Sequence, residues 1–170
     1  MANRVAANLV IGADGATTMG GSSSGLSAPA DRARFHHLRG EFKVIMIGGN
    51  TARNEPYAKT PIPLIVLTHH PLRGSATANP LAVAWSTSLP DAVALALQNY
   101  GDLLIEAGPA LVRSAISSQL LTEIFITLST RVGGENAVDL MEFIQGGTEI
   151  SREPFDGGLF LHYRLAPSHL

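Results

Sequence analysis

Short apolar runs, many of them β-branched, recur along the chain, each bounded on at least one side by Gly, Pro, Ser or Asn. They predict strands over Val5 to Ile11, Lys43 to Ile47, Leu64 to Leu67, Leu81 to Trp85, Asp102 to Ile105, Glu123 to Leu128 and Leu159 to Leu165. Four of these runs are apolar at consecutive positions: Val44-Ile45-Met46-Ile47, Leu64-Ile65-Val66-Leu67, Leu103-Leu104-Ile105 and Ile124-Phe125-Ile126. A half-wet strand alternates, whereas a continuous run is the pattern of a strand buried on both faces, as in a mostly parallel sheet covered by helices. The last run differs. His162 and Arg164 alternate with Leu161, Tyr163 and Leu165, which fits an antiparallel strand near an edge.

Between the strands the pattern predicts three helices. The first runs from Pro29 to Arg39, capped by Ser27 or Ala28 and stopped by Gly40. The second runs from Leu89 to Asn99, with Ser88 as N-cap, Asp91 in the first turn and Gly101 past the end. The third begins at Pro109, whose missing N–H costs nothing at a helix start, and ends near Gln119. A shorter helical turn is placed around Asp139 to Ile144. Strands alternating with helices make the chain α/β. Its 170 residues suffice for one core, without repeat or linker, so residues 1–170 are read as a single domain.

Composition narrows the function. Hydrophobic residues make up 45% and charged residues 15%, which excludes a disordered chain and points to a surface partly covered by a second subunit. A net charge of −2 carries no electrostatic footprint for nucleic acid or an anionic membrane. No apolar run approaches the ~20 residues of a membrane span. The N-terminus lacks the basic-then-apolar pattern of a secretory signal. Cysteine is absent, which removes disulfides, thiolate nucleophiles and cysteine-ligated zinc together. These features lead to the expectation of a cytoplasmic protein acting on a small molecule.

Candidate chemistry gathers where strands end. At Leu103 to Leu111 a buried strand delivers Glu106, then Ala107 and Gly108, and a helix starts at once with Pro109, Ala110 and Leu111. The free N–H groups and partial positive charge of that helix start suit a phosphate. A second strand delivers Gly48 and Gly49, followed by Asn50, Thr51, Arg53, Glu55 and Pro56. Ligands bind at such C-terminal edges in open α/β sheets. The long stretch Gly12 to Ala28, with Asp14 and the Gly20-Gly21-Ser22-Ser23-Ser24-Gly25 segment, offers hydroxyl and backbone donors for a sugar or phosphate. Thr68 and His69 follow the third strand, and adjacent His69 and His70 chelate one ion poorly, so no metal site is expected. Arg39 at the first helix's end complements the helix dipole or clamps a phosphate. The fingerprints G-x-G-x-x-G, G-x-S-x-G and H-E-x-x-H are absent.

Taken in order, these segments resemble a known family. They are Ala13-Asp14-Gly15, the Ser/Gly loop, Pro29-Ala30-Asp31-Arg32, Phe35-His36-His37-Leu38-Arg39, Ile47-Gly48-Gly49-Asn50-Thr51, Glu55-Pro56-Tyr57, Glu106-Ala107-Gly108-Pro109-Ala110-Leu111 and Leu120-Leu121-Thr122-Glu123-Ile124. The chain is similar to the reductase (C-terminal) domain of the bacterial bifunctional riboflavin-biosynthesis deaminase-reductase. The resemblance implies a dihydrofolate reductase-like fold, with a mostly parallel central sheet flanked by helices and an antiparallel C-terminal strand. It implies an NADPH-dependent reduction of a phosphoribosylamino-pyrimidine to its ribityl form, and a homodimer. By the same resemblance Gly48 to Thr51, Thr68, His69 and Ala107 to Leu111 bind NADPH. Ser23, Ser24, Arg39, Glu55 and Lys59 hold the substrate, and Glu106, Glu55 and Asp14, in that order, are candidates to manage the proton. The chain departs from the pattern at Ala107, where the family often has Gly. It also lacks an aromatic residue in the Ser loop, and basic residues after the acid-proline pair are reduced to Lys59. With no cysteine it has no deaminase motif, so the implied activity is reduction alone. Two other readings stay open: a related reductase of a pterin, imine or carbonyl compound, and a non-catalytic nucleotide-binding homologue.

Overall fold

The computed structural model describes residues 2–106 and 108–166. Eight strands form one sheet: β1 (Val5–Ile11), β2 (Val44–Gly48), β3 (Leu64–Leu67), β4 (Ala82–Trp85), β5 (Leu103–Ile105), β6 (Glu123–Ser129), β7 (Thr148–Phe155) and β8 (Gly158–Arg164). Their order across the sheet is β4-β3-β2-β5-β1-β6-β8-β7. The first six are parallel to their neighbours, and the β7–β8 hairpin adds the antiparallel end through β8 against β6.

The continuous apolar runs are buried on both faces. Val5, Ala7, Leu9 and Ile11 of β1 enter the larger core with Val112 and Ala115, while Ala6 faces Leu38 and Phe42 on the other side. The larger core takes helices α3 (Leu89–Asn99), α4 (Pro109–Ser117) and α5 (Met141–Ile144). The opposite face takes α1 (Pro29–Glu41) and α2 (Gly49–Asn54). Among the described residues no helix is long and apolar enough to cross a membrane.

The last predicted strand, β8, is antiparallel and stands next to the edge, as expected. The edge itself is β7, which the pattern did not predict: the segment Thr148–Phe155 is mostly exposed and carries Pro154, so it has no apolar run to reveal it. Gly40 lies inside α1, which continues to Glu41. Gly48 ends β2 and Gly49 starts α2, a short helix that the pattern did not predict.

Candidate functional site

The sheet order places β2 and β5 side by side, in the register Val44↔Leu103, Ile45↔Leu104 and Met46↔Ile105. From the C-terminal ends of these two strands α2 leaves to one face and α4 to the other. Two neighbouring strands that send their helices to opposite faces leave a crevice between the helix starts, the usual ligand position in an open α/β sheet. Its lips touch, with the Gly108 N–H 3.4 Å from Thr51 Oγ1.

The glycines shape this crevice. Gly108 precedes α4 with φ −64° and ψ 168° and caps it without a side chain. A Cβ built on Gly108 meets nothing within 4 Å, so the space above it is open. Behind it the first N–H groups of α4 have no acceptor within the helix, and Pro109 contributes none. A Cβ on Gly49 would lie 3.1 Å from Thr68 Oγ1, so a side chain there would push into the end of β3. Thr68 Oγ1 accepts from the His70 N–H at 3.2 Å, and His69 Nδ1 lies 2.8 Å from Ser86 Oγ. Asn50 accepts from Arg53 on the exposed side of α2. The residues singled out as cofactor-binding, Gly48 to Thr51, Thr68, His69 and Gly108 to Leu111, thus all lie at the ends of β2, β3 and β5. Ala107 lies outside the described residues.

Glu106 has a different setting from the ligand-facing carboxylate that its strand-edge position led us to expect. Its side chain is 2% exposed and that of Arg39 is 6% exposed. Arg39 Nε donates to Oε1 at 2.8 Å and Nη2 to Oε2 at 2.7 Å, while Tyr57 donates its hydroxyl to Oε2 at 2.8 Å. The guanidinium lies 4.2 Å from the Phe35 ring centroid and 5.4 Å from that of Tyr57. Burial works to lower the Arg39 pKa, but the bonds to Glu106 outweigh it and the net direction is upward. Burial first, and the Glu106 charge second, push the Tyr57 phenol well above its usual value. Arg39, expected as a phosphate clamp, therefore has two N–H groups committed to a buried carboxylate, because a buried charge needs a partner more than a surface charge does.

Glu55, at the end of α2, is half-buried and turned to the long loop after β1. Its oxygens accept from Ser22 Oγ at 2.9 Å and from the Ser23 N–H at 2.6 Å. Ser22 Oγ, its one hydrogen given to Glu55, accepts from the Ser24 hydroxyl at 3.0 Å, so Ser23, Ser24 and Glu55 stand together as one group. The same loop is held from its other side by Glu135, which accepts from Thr18 Oγ1 and from the N–H groups of Gly20 and Gly21. Lys59 is exposed and forms no ion pair among the described residues.

Asp14 stands apart from both glutamates. It is exposed and accepts from the N–H groups of Gly133 at 2.7 Å and Ala16 at 3.2 Å, bonds that lower its pKa. It lines a cleft of about 820 Å³ at the ends of β1 and β6, walled mainly by apolar side chains such as Leu128, Leu140 and Phe155. Among the described residues no cluster of three or more His, Asp or Glu side chains is arranged to hold a metal ion.

Sequence reasoning did not assign roles to Tyr57, Ser22 or Asp31. Asp31, buried in the first turn of α1, accepts from Ser27 and from Thr127 Oγ1 of β6, the latter at 2.5 Å. Its place in the first turn reads locally as a helix-start acid, and nothing in the sequence points to Thr127, which is 96 residues away.

No curated protein matches the chain. Among solved structures it is similar to a pyrimidine reductase-like protein of Corynebacterium diphtheriae, with a TM-score of 0.74 at 17% identity, covering 95% of this chain and 91% of that one. It is also similar to the deaminase/5-amino-6-(5-phosphoribosylamino)uracil reductase of Thermotoga maritima, with a TM-score of 0.69 at 14% identity. That match covers 96% of this chain and 56% of the other, so this chain spans little more than half the bifunctional protein. A dihydrofolate reductase of Enterococcus faecalis complexed with NADP(H) matches with a TM-score of 0.68 at 15% identity, covering 95% of each chain. Identities this low establish the fold, which is dihydrofolate reductase-like. The model of the RibD C-terminal domain family matches residues 3–150, from before β1 into β7, and by that match the chain belongs to the RibD C-terminal domain family.

Proposed function

We propose that the chain is an NADPH-dependent reductase that converts 5-amino-6-(5-phosphoribosylamino)uracil to its ribitylamino form. The observation that carries this reading is the crevice between β2 and β5, where the open N-terminus of α4 faces Gly48 at the end of β2 and Gly49 to Thr51 at the start of α2. Family membership and the NADP(H) complex of the similar dihydrofolate reductase support the cofactor class.

The residues present fit a nicotinamide dinucleotide. Gly108 leaves room for a close approach to the backbone, and the N–H groups of Ala110 and Leu111 would take the pyrophosphate. Gly49 to Thr51 would line the crevice toward the nicotinamide, with Thr68 and His69 toward the adenosine ribose phosphate. When bound, the cofactor supplies the hydride that the open-chain imine carbon of the substrate receives. The protein aligns that carbon and supplies one proton to the imine nitrogen. Glu55 is the carboxylate we assign to the proton, because its partners are a serine hydroxyl and one backbone N–H of a surface loop, which a substrate can displace. Both oxygens of Glu106 are already occupied by Arg39 and Tyr57, so Glu106 would shape the wall beside the sugar. Ser23, Ser24 and Lys59 would hold the sugar phosphate, and Asp14 would act only through the loop. The proposal includes a homodimer acting in the cytoplasm; the low charge fraction supports the dimer, and sedimentation of the purified chain tests it.

The test is to follow the loss of reduced-nicotinamide absorbance with this pyrimidine, and to titrate NADPH binding separately. Turnover supports the proposal. NADPH binding without turnover moves the reading to another imine, pterin or carbonyl substrate. No NADPH binding refutes the enzyme reading.

A further inference from the structure

Behind Glu55 lies a turn that the reaction scheme does not use. Residues Gly74–Ala78 form a short 3-10 helix closed by Asn79. Ser75 Oγ accepts from the Tyr57 N–H at 2.7 Å and donates to the Glu55 carbonyl at 2.9 Å. Asn79 Nδ2 donates to the Tyr57 carbonyl at 3.1 Å and to Thr60 Oγ1 at 2.9 Å. Gly74 has φ +68°, and a Cβ on it would lie 2.3 Å from the Ala52 carbonyl oxygen, so the turn is seated directly on α2. One hydroxyl and one amide thus fix the backbone on either side of Pro56. That backbone carries Glu55, which meets the loop, and Tyr57, which meets Glu106.

We propose that Ser75 is a positioning residue for the reaction, fixing the Glu55 backbone so that its carboxylate meets the substrate under the Ser22–Ser24 loop. The proposal rests on the functional reading above. Pro56 has no N–H of its own, so the segment lacks a donor between Glu55 and Tyr57. The Ser75 hydroxyl links the two flanking groups across that gap. Without it the Glu55 carbonyl loses its side-chain partner and the carboxylate can drift from the imine nitrogen. Misplacement of a reacting group slows the chemical step and leaves binding of the remote parts of the ligand alone.

The experiment is a double-mutant cycle of Ser75→Ala with Glu55→Gln, reading kcat and KM for the pyrimidine, the Kd for NADPH and the melting temperature. Ser75→Ala is expected to lower kcat roughly tenfold with the NADPH Kd and substrate KM within about twofold. In the Glu55→Gln background the same change is expected to cost less than about twofold, because the group it positions is gone. Thr77→Ala removes a hydroxyl bond within the same turn, to the Gly74 carbonyl at 2.8 Å, without touching residues 55–57, and should leave kcat unchanged. Equal losses in both backgrounds, or an equal loss in Thr77→Ala, would mean that the turn serves stability alone and would overturn the proposal. A parent chain that binds NADPH but does not reduce the pyrimidine overturns the functional reading and this proposal together. That failure is distinct, because it appears before any substitution is made.

Discussion

Replacing Arg39 by Met tests the buried pair at the end of β5. The substitution keeps an unbranched chain between the rings of Phe35 and Tyr57 but removes both N–H donors to Glu106. Glu106 is then left 2% exposed with the Tyr57 hydroxyl as its remaining side-chain donor among the described residues. Breaking a buried ion pair from one side costs about 3–5 kcal/mol, since the surviving charge stays desolvated. The Tyr57 hydroxyl offsets part of that, which puts the expected loss near the lower end, about 3 kcal/mol. For a domain of this size each kcal/mol moves the melting temperature by about 2–4 °C, so the midpoint should fall by roughly 6–12 °C. Urea unfolding followed by circular dichroism and by the single tryptophan, Trp85, which packs against the larger core, measures it directly. The triple replacement Arg39→Met, Tyr57→Phe and Glu106→Leu should return to within about 1 kcal/mol of the parent, because an apolar cluster in the same volume leaves neither a charge nor the Tyr57 hydroxyl desolvated without a partner. A loss below about 1 kcal/mol in Arg39→Met would refute the reasoning, since that is the behaviour of a pair in contact with water.

Gly108→Ala should leave the melting temperature nearly unchanged, as its Cβ has free space and its φ is negative, yet weaken NADPH about tenfold by filling the room above the α4 start; isothermal titration checks this. Glu55→Gln should lower kcat by about 10²-fold or more with NADPH affinity retained, the usual scale for losing a positioned proton donor. At the far end of the sheet burial works to raise the Glu123 pKa, but the bonds from Arg4 and His162 outweigh it and hold the pKa below its usual value. A carboxylate with a lowered folded pKa stabilises fully above its unfolded pKa, and loses that contribution as pH falls through the folded one. Glu123→Gln should therefore reduce the dependence of stability on pH below about 4.5, measured as urea midpoints over a pH series. An unchanged pH dependence would show that the cluster does not lower the carboxylate.

The sequence by itself determined most of the parallel sheet and its principal helices. Continuous apolar runs such as Val44 to Ile47 are costly anywhere but between two packed layers; Ser88 starts a helix by accepting from the Asp91 N–H, and Pro109 by its preset φ at a position where no N–H is needed. The placing of Gly48 to Thr51 and Gly108 to Leu111 at one edge of the sheet was legible for the same reason, because strand end, glycine and helix start adjoin in the chain. What lacks a local signature was not legible. The strand β7 is exposed and polar, so its position comes from hydrogen bonds to β8 and not from a hydrophobic face. Only the tertiary structure decided that Arg39 spends its charge on Glu106, 67 positions away, and not on an outside phosphate. It likewise decided that Glu55 meets Ser22 and Ser23. A side chain's type is written in the sequence, but which opposite charge shares its burial depends on how distant segments pack, and desolvation then makes that partner obligatory.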